Sequence, residues 1–162
     1  MLNTVHGYTA TQKLVDAPDT RDWRRGRAAA QNIVPSSTGA AISVTEAIPD
    51  LGGKFDGIAL RVPVLVGSVA DITFIAKRDT SKDEVNTILT NASHDPRWST
   101  LFAVTNEQLV SSDILNTPYA SVADLSFTRV IGNLVKVLAW YDNESGYTRT
   151  LIDHVVKAGR LV

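Results

Sequence analysis

Apolar residues recur at helical spacing in two segments of the chain. In "SKDEVNTILTNAS" the apolar positions follow the i, i+3, i+4, i+7 pattern of an amphipathic helix: Val85, Ile88, Leu89 and Ala92. Ser81 and Glu84 have the spacing of a capping box at its start. The closing segment "ESGYTRTLIDHVVKAG" shows the same period, and Gly159 stands where a helix is expected to stop. Both segments are therefore predicted to be helices.

Strand patterns fill most of the remaining chain. Alternating or continuous apolar runs occur in "LNTVHGYT", "GKFDGIALRVP", "GSVADITFIAKR", "TLFAVTN", "YASVADLSF" and "NLVKVLAWY". These strands come in runs between helices, without strict strand–helix alternation. The pattern predicts one α+β domain over residues 1–162, with a mixed, largely antiparallel sheet and helices packed on one face.

The segment between the first strand and the second is harder to assign. Residues 10 to 34 show neither period, although they contain apolar residues that need burial, such as Trp23 and Ile33. We interpret them as a packed functional loop, with a short helical turn through "RRGRAAAQ". A helix is predicted to follow in "STGAAISVTEAIPDL", from Ser37 or Thr38 to the residue before Pro49.

Composition excludes several classes of protein. The 162 residues carry a net charge of −1, so no bulk positive field attracts nucleic acid or a membrane surface. The chain has no cysteine, which excludes disulfides, thiolate metal sites and a cysteine nucleophile of its own, and we assign no metal site. No secretory signal is visible, so we expect a cytoplasmic location. The first residues already alternate as a strand, which fits either a short protein or a fragment of a longer one.

Three polar clusters are compatible with a phosphate ligand. The three arginines of "WRRGR" fit a solvated loop or an anion site, and "PSSTGAA" fits a helix cap or an anion site at a helix start. Arg61 lies inside an apolar strand, where a buried ion pair and an anion site are both possible. Near the chain start, His6 is surrounded by hydroxyl-bearing residues: Thr4, Tyr8, Thr9 and Thr11. Together the clusters favour a phosphorylated small molecule.

Four runs carry a resemblance to a known family. "HGYTATQK", "RRGRAAAQNIVPSSTGAA", "RVP" and "WYDNESGY" occur in the order and at the spacing found in glyceraldehyde-3-phosphate dehydrogenases. The chain resembles the C-terminal catalytic half of that family over essentially its whole length. The resemblance implies a glycolytic oxidoreductase that converts glyceraldehyde 3-phosphate and inorganic phosphate to an acyl phosphate. Hydride passes to NAD or NADP, and the family assembles as homotetramers.

The resemblance also implies substrate-binding roles for particular residues. His6 is similar in position to the general base that activates the family's catalytic cysteine. Thr9 and Arg61 resemble ligands of the substrate phosphate. Arg25 matches an arginine that holds substrate or inorganic phosphate, and Arg24 is a second candidate in the same doublet. The site of the attacking inorganic phosphate is represented by Thr38 and Gly39.

Cofactor contacts are implied at two positions. Asn143 resembles the residue that hydrogen-bonds the nicotinamide amide, and Tyr147 resembles a ring packed beside that nicotinamide. Residues 10 to 34 resemble the family's S-shaped loop, which lines the cofactor groove of a neighbouring subunit.

The departures from the family leave alternatives open. The nucleotide-binding half and the segment with the catalytic cysteine are missing, so the isolated chain is expected to be inactive. A noncatalytic truncated homologue, acting as an interaction or assembly module, is the alternative. An erythrose-4-phosphate dehydrogenase is a third interpretation, which the intact "STGAA" disfavours.

Overall fold

Seven strands form one open sheet, described for residues 1–161 in a computed structural model. The strands are β1 (Leu2–Gly7), β2 (Val34–Ser37), β3 (Gly57–Val62), β4 (Ser68–Ile75), β5 (Phe102–Thr105), β6 (Ser121–Ile131) and β7 (Leu134–Tyr141). Their order across the sheet is β2-β3-β1-β4-β7-β6-β5. The β1–β3 and β5–β6 pairs are parallel and the other four neighbouring pairs are antiparallel. The predicted α+β class with a mixed, largely antiparallel sheet is confirmed.

Three α-helices accompany the sheet: α1 (Ala40–Ala47), α2 (Lys82–His94) and α3 (Ser145–Gly159). The hydroxyl of Ser81 accepts a hydrogen bond from the Glu84 N–H at 3.1 Å, as the capping signal predicts for α2. The Glu84 carboxylate does not accept a hydrogen bond from the Ser81 N–H, because it accepts from Arg78 and from the Thr80 hydroxyl instead. One half of the capping box is therefore present.

The predicted start of α1 was wrong. Ser37 belongs to β2, and the helix begins only at Ala40. The reason is non-local, since β2 pairs with β3 and buries Ser36 opposite Ala59. Thr38 does not cap a full helix turn, but its hydroxyl accepts a hydrogen bond from the Ala40 N–H at 3.1 Å.

The apolar core lies between α2 and one face of the sheet. Val85 of α2 packs with Ala123, Val135 and Val137, and Val135 has 0% of its surface exposed. Because alternate residues of a strand point to the same face, Tyr141 lies on the face that carries Val135 and Val137. The first turn of α3 borders a pocket next to Tyr141. The core and this pocket therefore share one face of the sheet.

The irregular segment between β1 and β2 is held by backbone hydrogen bonds. It contains two short 3-10 turns, Trp23–Gly26 and Ala29–Gln31. Backbone hydrogen bonds join the two arms of this loop. The Lys13 N–H donates to the Arg25 carbonyl at 3.0 Å, and the Ala17 N–H donates to the Gly26 carbonyl at 2.9 Å. The expectation that its apolar side chains are buried holds for Val34, which is 3% exposed, but was wrong for Trp23, which is 85% exposed, and for Ile33. Backbone hydrogen bonds therefore hold much of this loop in place.

Among residues 1–161, the helices are too short or too polar to cross a bilayer.

Candidate active site

His6 lies near the end of β1, between Arg61 of β3 and Ser68 of β4. Its Nδ1 atom is 2.6 Å from the Gly7 carbonyl oxygen. A carbonyl can only accept a hydrogen bond, so Nδ1 carries the proton and Nε2 keeps its lone pair. Burial lowers the pKa of His6 below the ordinary 6.5, the bond to Gly7 acts against this, and the charge of Arg61 lowers it further. The imidazole is thus neutral and able to accept a proton at Nε2.

Two arginines approach this histidine without full compensation. Arg61 donates to the Gly7 carbonyl at 3.3 Å, and no ion pair to it forms within residues 1–161. The Nε atoms of Arg25 and Arg61 are both buried, and neither has a hydrogen-bond partner in the described part of the chain. The carboxylate nearest to Arg25 is Asp22, at 3.9 Å. Burial lowers the pKa of Arg61, Tyr141 acts against this, and the charge of Arg25 lowers it further.

Such a group of cations is costly unless an anion joins it. A buried charge needs a partner of opposite sign or a set of hydrogen bonds, and a guanidinium offers a fork of donors that matches an oxyanion. Below, "the His6 corner" means His6, Arg25, Arg61 and Tyr141. Its positive charge and unused donors are complementary to an oxyanion.

The two arginines of the "RR" doublet have different environments. The side chain of Arg24 is 68% exposed and lies 3.4 Å from the Asp22 carboxylate. The side chain of Arg25 is largely buried and its charge acts on Arg61. Arg24 is not among the groups that shift the pKa of Arg61, so only Arg25 of the doublet belongs to the His6 corner.

Thr9 is held in a tight turn just beyond β1. Its N–H and hydroxyl both donate to the Gln12 carboxamide oxygen, at 2.9 and 3.0 Å, and Gln12 Nε2 donates to Thr11. Gln12 is buried, so this turn is fixed from beneath. Sequence reasoning named Thr9 but missed Gln12, although it stands in the same "HGYTATQK" run.

Thr38 and Gly39 lie apart from the His6 corner. In the antiparallel β2–β3 pair, Val34 is opposite Arg61 and Ser37 is opposite Ile58. A strand rises about 3.3 Å per residue, so Ser37 lies about 10 Å along the sheet from the Arg61 pair. Thr38 and Gly39 therefore lie at a different position along the sheet from Arg61, and their role at a second phosphate position stays a prediction.

A pocket of about 360 Å³ joins the predicted base to both predicted cofactor residues. Its lining includes His6, Tyr141, Asn143 and Tyr147, from the ends of β1 and β7 and the first turn of α3. The Tyr141 ring meets the His6 ring edge-on, with centroids 5.9 Å apart and planes at 66°. A Cβ at Gly146 would lie 3.0 Å from the Tyr119 carbonyl oxygen, so glycine lets α3 start close to the pocket.

Sequence reasoning missed several residues that hold this pocket together. Tyr141 lies in "WYDNESGY" but received no role, and Ser68 carried no signal. Asp142 is buried and accepts hydrogen bonds from the N–H groups of Asn116, Glu144 and Ser145, at 2.8 to 2.9 Å. Asp142 therefore fixes the chain on both sides of Asn143. No group of three His, Asp or Glu side chains within residues 1–161 is placed to hold a metal ion.

Comparison with known proteins identifies the family of this chain. The family model described as "Glyceraldehyde 3-phosphate dehydrogenase, C-terminal domain" matches residues 1–143. Glyceraldehyde-3-phosphate dehydrogenase 1 of Trichoderma koningii is 45% identical over 157 residues, which are 96% of this chain and 46% of that protein. Glyceraldehyde-3-phosphate dehydrogenase 2 of Streptomyces arenae is 48% identical over 153 residues, 94% of this chain and 45% of that protein.

The Neurospora crassa glyceraldehyde-3-phosphate dehydrogenase is similar to the same extent, 46% identical over 94% of this chain and 45% of its own length. The chain thus spans about half the length of the curated relatives it matches. Because the family model covers most of the chain, the predicted resemblance is confirmed. The chain belongs to the glyceraldehyde 3-phosphate dehydrogenase family, in which it corresponds to the C-terminal domain.

Proposed function

We propose that this chain is the catalytic half of a phosphorylating glyceraldehyde-3-phosphate dehydrogenase. Its substrates are glyceraldehyde 3-phosphate and inorganic phosphate, its cofactor is NAD or NADP, and it works within a homo-oligomer. The observation that carries the proposal is the His6 corner, where an imidazole stands with two arginines whose buried Nε atoms have no hydrogen-bond partner in the described residues.

His6 acts as the base. Because the Nδ1 proton is directed to the Gly7 carbonyl, Nε2 is the atom that receives a proton. The donor is a thiol from outside the chain, since the 162 residues include no cysteine. Moving the thiol proton to His6 leaves a thiolate, the form that attacks an aldehyde carbon. The lowered pKa of His6 keeps the imidazole unprotonated and ready for this step.

Arg25 and Arg61 bind the phosphate group of the substrate. Their charges and unused Nε–H donors match phosphate oxygens, and a bound dianion would relieve the mutual repulsion seen in the pKa of Arg61. Thr38 and Gly39 belong to a separate phosphate position, which agrees with their distance along β2 from the Arg61 pair. Thr9 contributes through its hydroxyl, whose single proton would turn from the Gln12 carboxamide oxygen to a phosphate oxygen when the anion binds.

The pocket beside His6 suits a planar ring with an amide. Asn143 offers a carboxamide and Tyr147 an exposed aromatic ring, and His6 lines the same pocket. When bound there, the nicotinamide would supply the hydride acceptor. The residues of this chain hold and orient the ring and keep the base next to it.

A chimera tests the proposal. Residues 1–162 replace the matched half of the Streptomyces arenae relative, and NADH or NADPH formation from glyceraldehyde 3-phosphate is measured with phosphate present. We expect turnover, and we expect His6→Asn to lower kcat by about 10²- to 10⁴-fold, the usual contribution of a general base. His94→Asn is the matched control, because His94 also ties Nδ1 to a carbonyl, at 2.8 Å, but sits at the exposed end of α2.

The other interpretations predict different results in the same assay. A folded chimera without turnover, together with co-sedimentation of the 162-residue chain and the full-length relative, would favour an assembly module. Faster turnover with erythrose 4-phosphate than with glyceraldehyde 3-phosphate would favour the third interpretation. Equal kcat for His6→Asn and the parent chimera would overturn the role of His6.

A further inference from the structure

The carboxamide oxygen of Asn143 is held by two donors at the start of β4. The Gly67 N–H donates to Asn143 Oδ1 at 3.1 Å, and the Ser68 hydroxyl lies 3.4 Å from the same oxygen. A backbone N–H can only donate, so the side-chain atom that faces it must be oxygen and not nitrogen. Asn143 Nδ2 therefore faces the other way, and no residue within 1–161 accepts a hydrogen bond from it.

Ser68 connects this amide to the ring beside His6. Its residue is only 2% exposed, and it lies directly opposite Tyr141 in the β4–β7 pair. The hydroxyls of Ser68 and Thr4 stabilise the ionised Tyr141 phenol, although burial raises the pKa of Tyr141 overall. A serine has a single hydroxyl proton, so when Ser68 donates it to Asn143 it cannot also donate to an ionised Tyr141. Ser68 thus lies next to both Tyr141 and Asn143, which line the same pocket.

Gly67 supplies the second donor through a conformation that only glycine adopts at ease. Its φ is +94°, and a Cβ there would lie 2.5 Å from the Ser111 carbonyl oxygen. The Gly67 N–H is consequently fixed in direction. Together with Ser68 it defines the orientation of the Asn143 amide before any ligand binds.

We propose that Ser68 is a positioning residue, which with the Gly67 N–H turns Asn143 so that Nδ2 donates into the pocket beside His6 and Tyr147. The ligand group that fits this donor is a carbonyl oxygen on a planar ring. This inference rests on the proposed function, in which that ring is the nicotinamide and the acceptor is its carboxamide oxygen.

The orientation is tested without a ligand on the 162-residue chain. We expect a scalar coupling across the hydrogen bond between the Gly67 ¹⁵N and the Asn143 side-chain ¹³Cγ. We also expect the Asn143 Nδ2 protons to exchange rapidly with water. The absence of this coupling at Gly67, or protection of the Asn143 Nδ2 protons from exchange, would overturn the inference whatever the chain's function is.

The ligand half is tested with 1-methylnicotinamide, which carries the ring and carboxamide but no phosphate for the arginines. Ser68→Ala is expected to weaken its binding by about three- to tenfold, the equivalent of one hydrogen bond. Binding of 1-methylpyridinium, which lacks the carboxamide, is expected to stay the same. Thr4→Val is the matched control, since it removes the other hydroxyl next to Tyr141 but not one next to Asn143.

A double-variant cycle separates positioning from general stability. If Ser68 acts through Asn143, Ser68→Ala has no further effect on 1-methylnicotinamide affinity once Asn143 is alanine. An unchanged affinity in Ser68→Ala, or an equal loss in Thr4→Val, would overturn the role of Ser68. If the parent chain binds neither probe, the result would contradict the cofactor role of the pocket and the ligand half of this inference. The coupling experiment would still decide the orientation of Asn143.

Discussion

One face of the sheet carries two regions built on opposite principles. Under α2, the cluster of Val85, Ala123, Val135 and Val137 is apolar, and Val135 is completely buried. At the other end of β7, the His6 corner gathers an imidazole, two guanidiniums and a phenol, and leaves buried Nε atoms without described partners. The same strand, β7, contributes to both regions.

The contrast separates stability from function. Burying apolar surface is worth about 25 cal/mol per Å², so the cluster under α2 stabilises the fold without any ligand. Partly burying two cations whose donors are incompletely used costs free energy, so the His6 corner contributes less to stability than the cluster under α2. A ligand that completes these donors is the proposed explanation for it.

Removing volume from the core is expected to have the largest effect on stability. Val135→Ala should lower the free energy of unfolding by about 2 kcal/mol, because two buried carbon atoms are lost and a cavity remains. Urea titration followed by circular dichroism measures it. Ile131→Ala in the same hairpin is the control, since Ile131 is exposed and its loss should cost under about 0.5 kcal/mol. Equal costs for the two variants would contradict the placement of the core.

Removing a charge from the His6 corner should weaken anion binding without lowering the stability of the fold. Arg61→Met is expected to weaken sulfate binding about tenfold or more, yet to leave the anion-free stability unchanged or higher, because a partly buried cation that has no ion pair in the described residues is removed. Sulfate-dependent thermal shifts at constant ionic strength report both quantities. Arg24→Met is the control, because that side chain is exposed and paired with Asp22. A large loss of anion-free stability in Arg61→Met would mean that Arg61 is a structural residue.

The helices extend the comparison with smaller effects. α2 buries Val85, whereas the apolar face of α3 is exposed: Tyr147 is 66%, Leu151 47% and Val155 61% exposed. Exposed apolar patches usually drive association. Leu151→Lys combined with Val155→Lys should change stability by less than about 0.5 kcal/mol but reduce self-association in sedimentation velocity. Thr148→Lys, a neighbouring exposed polar position, serves as the control. Unchanged association in the double variant would show that α3 is not the associating surface.

Local signals in the sequence predicted local structure well. The period of α2 and the Ser81 cap were correct because both depend on residues within a few positions of one another. The strand Val34–Ser37 was missed because its partner, β3, lies more than twenty residues further along the chain. The apolar period of α3 predicted the helix correctly, but it did not predict that the apolar face of this helix is exposed in the chain.

The residues of the candidate site also differ in whether a local sequence signal identifies them. His6, Arg61 and Asn143 stand in motifs that a reader can find, and their proposed roles stay predictions. Ser68 and Tyr141 emerged only from the register of β1, β4 and β7, which no local pattern encodes. The sequence also could not separate Arg24 from Arg25, because the 3-10 turn that directs them is set by the surrounding loop.

The pH dependence of stability follows from the neutral state of His6. Its pKa in the folded chain lies below the 6.5 of an exposed histidine, so the unfolded chain binds more protons as the pH falls through 6.5. Stability should therefore decrease as the pH drops below that value and be fully present above it. His6→Asn should remove this part of the pH dependence, and an unchanged profile would place the responsible group elsewhere.

The most direct test of the His6 corner is an NMR titration of the His6 ring with and without sulfate, which stays doubly charged across the range. The groups next to the ring are Arg61 and Tyr141, and Arg25 acts on Arg61. If the arginines hold the anion beside the base, sulfate neutralises their charge and raises the pKa of His6, and Arg61→Met abolishes this rise. Chloride at equal ionic strength controls for screening. A His6 pKa that is the same in sulfate and chloride would contradict an anion site coupled to the base.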